Sequence, residues 1–62
     1  MDLHDELQAV ANNLGVKAET HHLLLAQYLF PYFRDTMAGD RTTALQRAVH
    51  AAVAAPAYWF AT

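Results

Sequence analysis

The chain has 62 residues, of which 55% are hydrophobic and 16% charged, and its net charge is −2. A chain of this length forms at most one small domain, and its composition excludes the intrinsically disordered class, which needs low hydrophobicity and high charge. It contains no cysteine, so neither a disulfide framework nor a thiolate zinc site can stabilise it. We therefore expect a folded domain that gains stability from self-association or from a partner protein.

The charge distribution argues against nucleic-acid and membrane binding. Four basic residues are spread singly along the chain against six acidic ones, whereas nucleic-acid domains cluster Lys and Arg to neutralise phosphates. The longest charge-free stretches, 20–33 and 48–62, each contain a proline and are shorter than the roughly 20 residues that a membrane-spanning helix needs. The acidic first residues lack the basic region of a secretory signal, so we expect a cytoplasmic protein without a membrane span.

Residues 2–14 carry the pattern of an amphipathic helix. Five apolar residues recur at the spacing that places them on one helix face: Leu3, Leu7, Val10, Ala11 and Leu14. Asp2 can cap the start of this helix, and Gly15 can adopt the left-handed conformation that often ends one. The pattern predicts a first helix followed by a turn at Gly15.

Residues 17–30 predict a second helix that is apolar around most of its circumference. Such a helix must be covered on more than one side, and a chain this short has little surface with which to cover it. Pro31 removes the donor for the Gln27 carbonyl, so we expect the helix either to end near Leu29 or to kink there and continue to Ala38, and we favour a kink or tight break. The uncovered residues should form an oligomer or partner interface, for which we predict Leu24, Leu25, Tyr28, Leu29 and Tyr32.

A third helix is expected to end at Ala55, because the following Pro56 pushes the residue before it out of the helical conformation. Thr43 and Gln46 form a capping-box pattern at its start, and Asp40 is the alternative cap. The inward face of this helix should carry Leu45, Ala48, Val49 and Ala52.

Together these segments predict an all-α fold: a small three-helix bundle, or a four-helix one with the kink counted, completed by oligomerisation or by a partner. The helical domain covers residues 1–55, and an aromatic C-terminal tail covers 56–62. So short a tail cannot build a core of its own, so its rings must pack on this chain or on another protein. We expect three of them to anchor such a contact: Tyr58, Trp59 and Phe60.

Glu19 and His22 form the one pattern that suggests a metal site. A Glu-x-x-His step on a helix places a carboxylate and an imidazole on one face, as di-iron carboxylate proteins require. The remaining ligands could come only from duplication of the pair in a symmetric oligomer. We therefore expect no metal and no other cofactor, and we keep a metal-binding helical oligomer as an alternative.

Residues 8–25 resemble the helix-turn-helix motif of DNA-binding proteins. The resemblance rests on Ala11, followed four positions later by Gly15, in the string from Val10 to Val16 that precedes Thr20. It implies an alternative function, a dimeric transcription regulator whose second helix enters the DNA groove. Because this segment carries few cations, we expect any binding to duplex DNA to be weak and non-specific.

No pattern indicates catalysis. The chain lacks serine as well as cysteine, and no spacing of Thr, His and Asp singles out a nucleophile with its base. We therefore expect a protein that is not an enzyme. The preferred interpretation is a small helical interaction module, an accessory subunit, assembly factor or inhibitor that docks on itself or on a larger protein.

Overall fold

The computed structural model describes residues 2–36 and 40–56, and within these ranges the chain forms three α-helices and no strand. Helix α1 spans Leu3–Leu14, α2 spans Thr20–Thr36 and α3 spans Arg41–Ala54. Each helix contacts the other two, and the contact between α2 and α3 is the most extensive. The prediction of an all-α fold is confirmed.

Both ends of α1 are formed by the residues that the sequence predicted. The Asp2 carboxylate accepts a hydrogen bond from the backbone N–H of His4 at 3.4 Å, and Asp5 and Glu6 occupy the first turn, where the helix dipole favours negative charge. Gly15 ends the helix with a φ of 71°, and its N–H donates to carbonyls of the last turn. Glycine suits this position because a side chain with a Cβ is strained there.

Helix α2 differs from its prediction at its start and at Pro31. It begins at Thr20 rather than at Lys17, and it continues through Pro31 to Thr36 without interruption. The prediction that the helix ends near Leu29 is therefore wrong, as is the tight break that we favoured together with a kink, and the kink itself stays a prediction. A proline costs one helical hydrogen bond, but the residues on either side of it stay helical because the inner face of α2 is buried along its length, at Leu23, Ala26 and Phe30.

Asp40, rather than Thr43, caps α3. Its carboxylate accepts a hydrogen bond from the backbone N–H of Thr43 at 2.7 Å, and the helix begins at Arg41. The capping-box interpretation is therefore wrong, and the alternative cap is confirmed. The same hydrogen bond lowers the pKa of the Asp40 carboxyl. The helix ends one residue earlier than predicted, because Ala55 precedes a proline and is extended.

One apolar core lies among the three helices. Its buried residues are all hydrophobic: Leu7, Ala11, Leu23, Ala26, Phe30, Ala44, Leu45, Ala48, Val49 and Ala52. The inward face predicted for α3 is confirmed, with Ala44 in addition. Half of these residues are alanines, which bury little area each, so the core depends on a few large side chains.

Arg41, at the start of α3, makes side-chain contacts with both other helices. Its guanidinium donates two hydrogen bonds to the Glu6 carboxylate, at 3.0 Å from Nε and 2.6 Å from Nη2, and it lies 5.1 Å from the centre of the Phe30 ring. A bidentate ion pair and a cation–π contact thus meet at one end of the core. The mutual hydrogen bonds are the main reason that the pKa of Glu6 is lowered and the pKa of Arg41 is raised.

We expect the stability of the fold in acid to depend on Glu6. Because folding lowers the pKa of this carboxyl, its stabilising contribution is complete above the ordinary value of 4.5 and is lost as the pH falls through the lower, folded value. Glu6→Gln should therefore be less stable than the natural chain at about pH 7, and the difference should shrink towards about pH 3. Urea unfolding at both pH values measures this.

The control for this experiment is Asp5→Asn, which removes a carboxylate from the same turn of α1. It should show a smaller difference from the natural chain at neutral pH. Asp40, whose pKa is also lowered, is present in every variant and so cancels in the comparison. A stability difference for Glu6→Gln that is the same at both pH values would contradict the prediction.

Candidate functional site

The outer face of α2 carries the large apolar side chains that are most exposed in the described part of the chain. Leu24, Tyr28 and Tyr32 are 58%, 81% and 63% exposed. They recur every fourth residue, which places them in one row along the helix. We name this row, Leu24, Tyr28 and Tyr32, the α2 stripe. Because the opposite face of α2 lies in the core, the helix is apolar on two sides.

The exposure of the stripe follows from the sequence of α2. Between positions 23 and 33 the only strongly polar residue is Gln27, so apolar side chains extend well beyond the single face of an ordinary surface helix. Only α1 and α3 are available to cover them among the described helices, and both pack on the same side of α2. The remaining apolar side of α2 faces solvent.

The structure divides the interface residues that were predicted on α2. Leu24, Tyr28 and Tyr32 are exposed, as a docking surface requires, whereas Leu25 and Leu29 are half-buried. Leu25 also packs against the core, so part of its surface is already buried within the folded chain. The interface itself stays a prediction, and its exposed part is the α2 stripe.

The aromatic tail lies outside the described residues. This applies to Tyr58, Trp59 and Phe60, which were predicted to anchor a contact, and their role stays a prediction. The described chain ends beside a depression of about 320 Å³ near the end of α3, lined by Val16, His50, Val53 and Ala54. A second depression of about 320 Å³ is lined by Leu14, Thr43, Gln46, Arg47 and His50.

Glu19 and His22 are occupied by local interactions at the start of α2. The Nδ1 atom of His22 accepts a hydrogen bond from the backbone N–H of Glu19 at 3.0 Å, so it helps to satisfy a backbone donor where the helix begins. The Glu19 carboxylate lies 3.8 Å from Nδ1 of His21, a contact that sequence analysis missed. Within residues 2–36 and 40–56, no three His, Asp or Glu side chains are grouped so that they could hold a metal ion.

The segment that resembles a helix-turn-helix motif contains two helices on either side of Gly15. The face that α2 presents to solvent carries the apolar α2 stripe. The basic residues Lys17 and Arg34 lie away from the stripe. Lys17 precedes the helix. The Arg34 guanidinium contacts Asp35 at 3.3 Å and lies 5.9 Å from the Phe30 ring centre. Among the described residues, the row exposed along α2 is thus apolar rather than basic.

Comparison with known proteins gives no match that would indicate a function. No protein-family model, no curated protein sequence and no solved structure matches this chain. Among the described residues, no helix is both long enough and apolar enough to cross a membrane.

Two consecutive leucines offer a direct check on which side of α2 is covered. Leu23 is 2% exposed and Leu24 is 58% exposed. Leu23→Ala should lower the free energy of unfolding by about 2–5 kcal/mol, because it leaves a cavity in the core. Leu24→Ala should change it by less than about 0.5 kcal/mol. Urea unfolding in dilute solution measures both values, and equal losses would show that the outer face of α2 is covered within the folded chain.

Proposed function

We propose that this protein is a small helical interaction module that docks on another protein chain through the α2 stripe and catalyses no reaction. Its role is that of an accessory subunit, assembly factor or inhibitor in the cytoplasm. The observation that carries the proposal is the row of three large apolar side chains exposed along a regular helix. Apolar surface of this kind on a small protein is characteristic of an interface.

The composition of the stripe supports docking on a protein. Tyrosine combines a large apolar ring with a hydroxyl that can hydrogen-bond at the edge of an interface, and it is enriched among the residues that dominate binding energy. Tyr28 is the most exposed of the three side chains and lies at the centre of the row. It is therefore the residue whose burial by a partner would contribute most.

The stripe is also held rigidly, which lowers the entropic cost of binding. The inner face of α2 is buried in the core along its length. At the end of the stripe, the Tyr32 ring packs edge-on against the Phe33 ring, with 5.4 Å between their centres and an angle of 75° between their planes. Phe33 in turn packs against the core. The outer surface of α2 is thus presented in a defined shape before any partner arrives.

The ionisable groups with shifted pKa values are used in holding the fold together. Glu6 and Arg41 pair with each other, and Asp40 caps α3. Each shift has its main cause in structural hydrogen bonds, so none of the three requires a catalytic explanation.

The test of this function compares Tyr28→Lys with Gln46→Lys. Both substitutions place a lysine on an exposed helix position, so both should change the stability of the fold by no more than about 0.5 kcal/mol. Only Tyr28→Lys puts a charge in the α2 stripe. It should weaken association by a factor of roughly thirty or more, as expected when a central interface residue is lost.

Association is measured in two ways, by sedimentation of the isolated chain and by the proteins that the tagged chain retains from its native host. A protein retained by the natural chain and by Gln46→Lys but not by Tyr28→Lys identifies the partner of the stripe. The proposal fails if Tyr28→Lys keeps every association of the natural chain. It also fails if Tyr28→Lys melts as early as a core variant, since the stripe would then belong to the core.

A further inference from the structure

We infer that the partner of the α2 stripe is a second copy of this chain, and that the two α2 helices pack antiparallel with Tyr28 beside Tyr28 of the second copy. The inference rests on the proposed function and deepens it by naming the partner.

The exposed residues of α2 form a seam that is symmetric about Tyr28. Its five positions lie seven and four residues before Tyr28, at Tyr28 itself, and four and seven residues after it: His21, Leu24, Tyr28, Tyr32 and Asp35. Steps of three and four residues keep all five positions on one side of the helix. A two-fold axis at Tyr28 maps each position of an antiparallel pair onto its counterpart, so this face of α2 is complementary to the same face of a second copy.

The two ends of the seam carry groups that complement each other. His21 lies on the seam in the first turn of α2, where it contacts Glu19, and Asp35 lies on the seam in the last turn, where it contacts Arg34. In an antiparallel pair centred on Tyr28, each end meets the opposite end of the second copy. The His21 imidazole, a hydrogen-bond donor, then faces the Asp35 carboxylate, which can accept several hydrogen bonds and uses one oxygen for Arg34.

A parallel pair would bring like groups together. Asp35 would lie near Asp35 of the second copy. Like charges that face each other across an interface disfavour that arrangement. In the antiparallel pair, Leu24 instead faces Tyr32 of the second copy, so an aliphatic side chain packs against an aromatic one on each side of the central tyrosines.

The uncovered area of the seam approaches that of a small specific interface. At 81% and 63% exposure, Tyr28 and Tyr32 together present roughly 300 Å², taking about 200 Å² for a whole tyrosine side chain. The exposed part of Leu24 and the neighbouring Pro31 add to this. A specific interface buries at least about 1,000 Å² in total, or about 500 Å² on each copy, and the seam approaches that area without any contribution from α1 or α3.

The experiment uses introduced cysteines, because the natural chain has none. Under mild oxidation, Tyr28→Cys should form a disulfide between two copies, since the antiparallel arrangement places this position next to itself. Leu24→Cys mixed with Tyr32→Cys should form a disulfide between the two variants, and each alone should form little. Gln46→Cys on α3, which is also exposed, is the control, and its rate of cross-linking gives the background of random collision.

A second measurement keeps the test independent of cross-linking. The natural chain should sediment at micromolar concentration as a species of twice 6.9 kDa. His21→Asp places a carboxylate opposite Asp35 of the second copy and should weaken the dimer by a factor of roughly five. His50→Asp, an equivalent change of an exposed histidine on α3, should leave the dimer unchanged.

The outcomes separate this inference from the proposed function. A monomer at every concentration, or cross-linking of Tyr28→Cys no faster than that of Gln46→Cys, overturns the second copy as partner. The proposed function would then be decided by the comparison of Tyr28→Lys with Gln46→Lys, since the stripe could serve a different protein. Efficient cross-linking of Leu24→Cys to itself indicates a parallel pair and overturns the antiparallel arrangement.

Discussion

Helix α2 has two apolar faces, and the helices packed on it cover one of them. This constraint underlies the whole structure, because α1 and α3 are short and both pack on the side of α2 that holds Leu23, Ala26 and Phe30. Among the described residues there is no fourth helix on the other side. The α2 stripe is therefore a consequence of the number and length of the helices as much as of the residues that form it.

The core behind α2 is small in volume, and charged groups reinforce it at one end. Half of its buried residues are alanines, so the helices approach closely but bury little area for each residue. Phe30 is the largest buried side chain among the described residues, and the guanidinium of Arg41 lies over its ring while also binding the Glu6 carboxylate. At this end of the core, side chains of all three helices are in contact. They combine apolar packing, a cation–π contact and an ion pair.

Glu19 and His22, the pair that suggested a metal site, make local contacts in the structure. His22 accepts a hydrogen bond from the backbone N–H of Glu19 at the start of α2, as the helix cap Asp40 does from Thr43 at the start of α3. Helix starts leave backbone donors without helical partners, and side chains within reach bind to them. The exposed apolar residues on the outside of α2 play no such part in the described fold. We therefore propose that they bind a partner.

Sequence periodicity alone determined the all-α class, the extent of α1 with its Asp2 and Gly15 ends, and the inward face of α3, because these depend on local spacing and backbone conformation. Tertiary structure decided the rest. Packing of α2 against its neighbours carries the helix through Pro31 despite the lost hydrogen bond. It also determines which apolar residues of α2 are covered, so that Leu25 contacts the core while Tyr28 faces solvent. A helix that is apolar around most of its circumference carries only a weak periodic signal of its buried side, so its neighbours define that side.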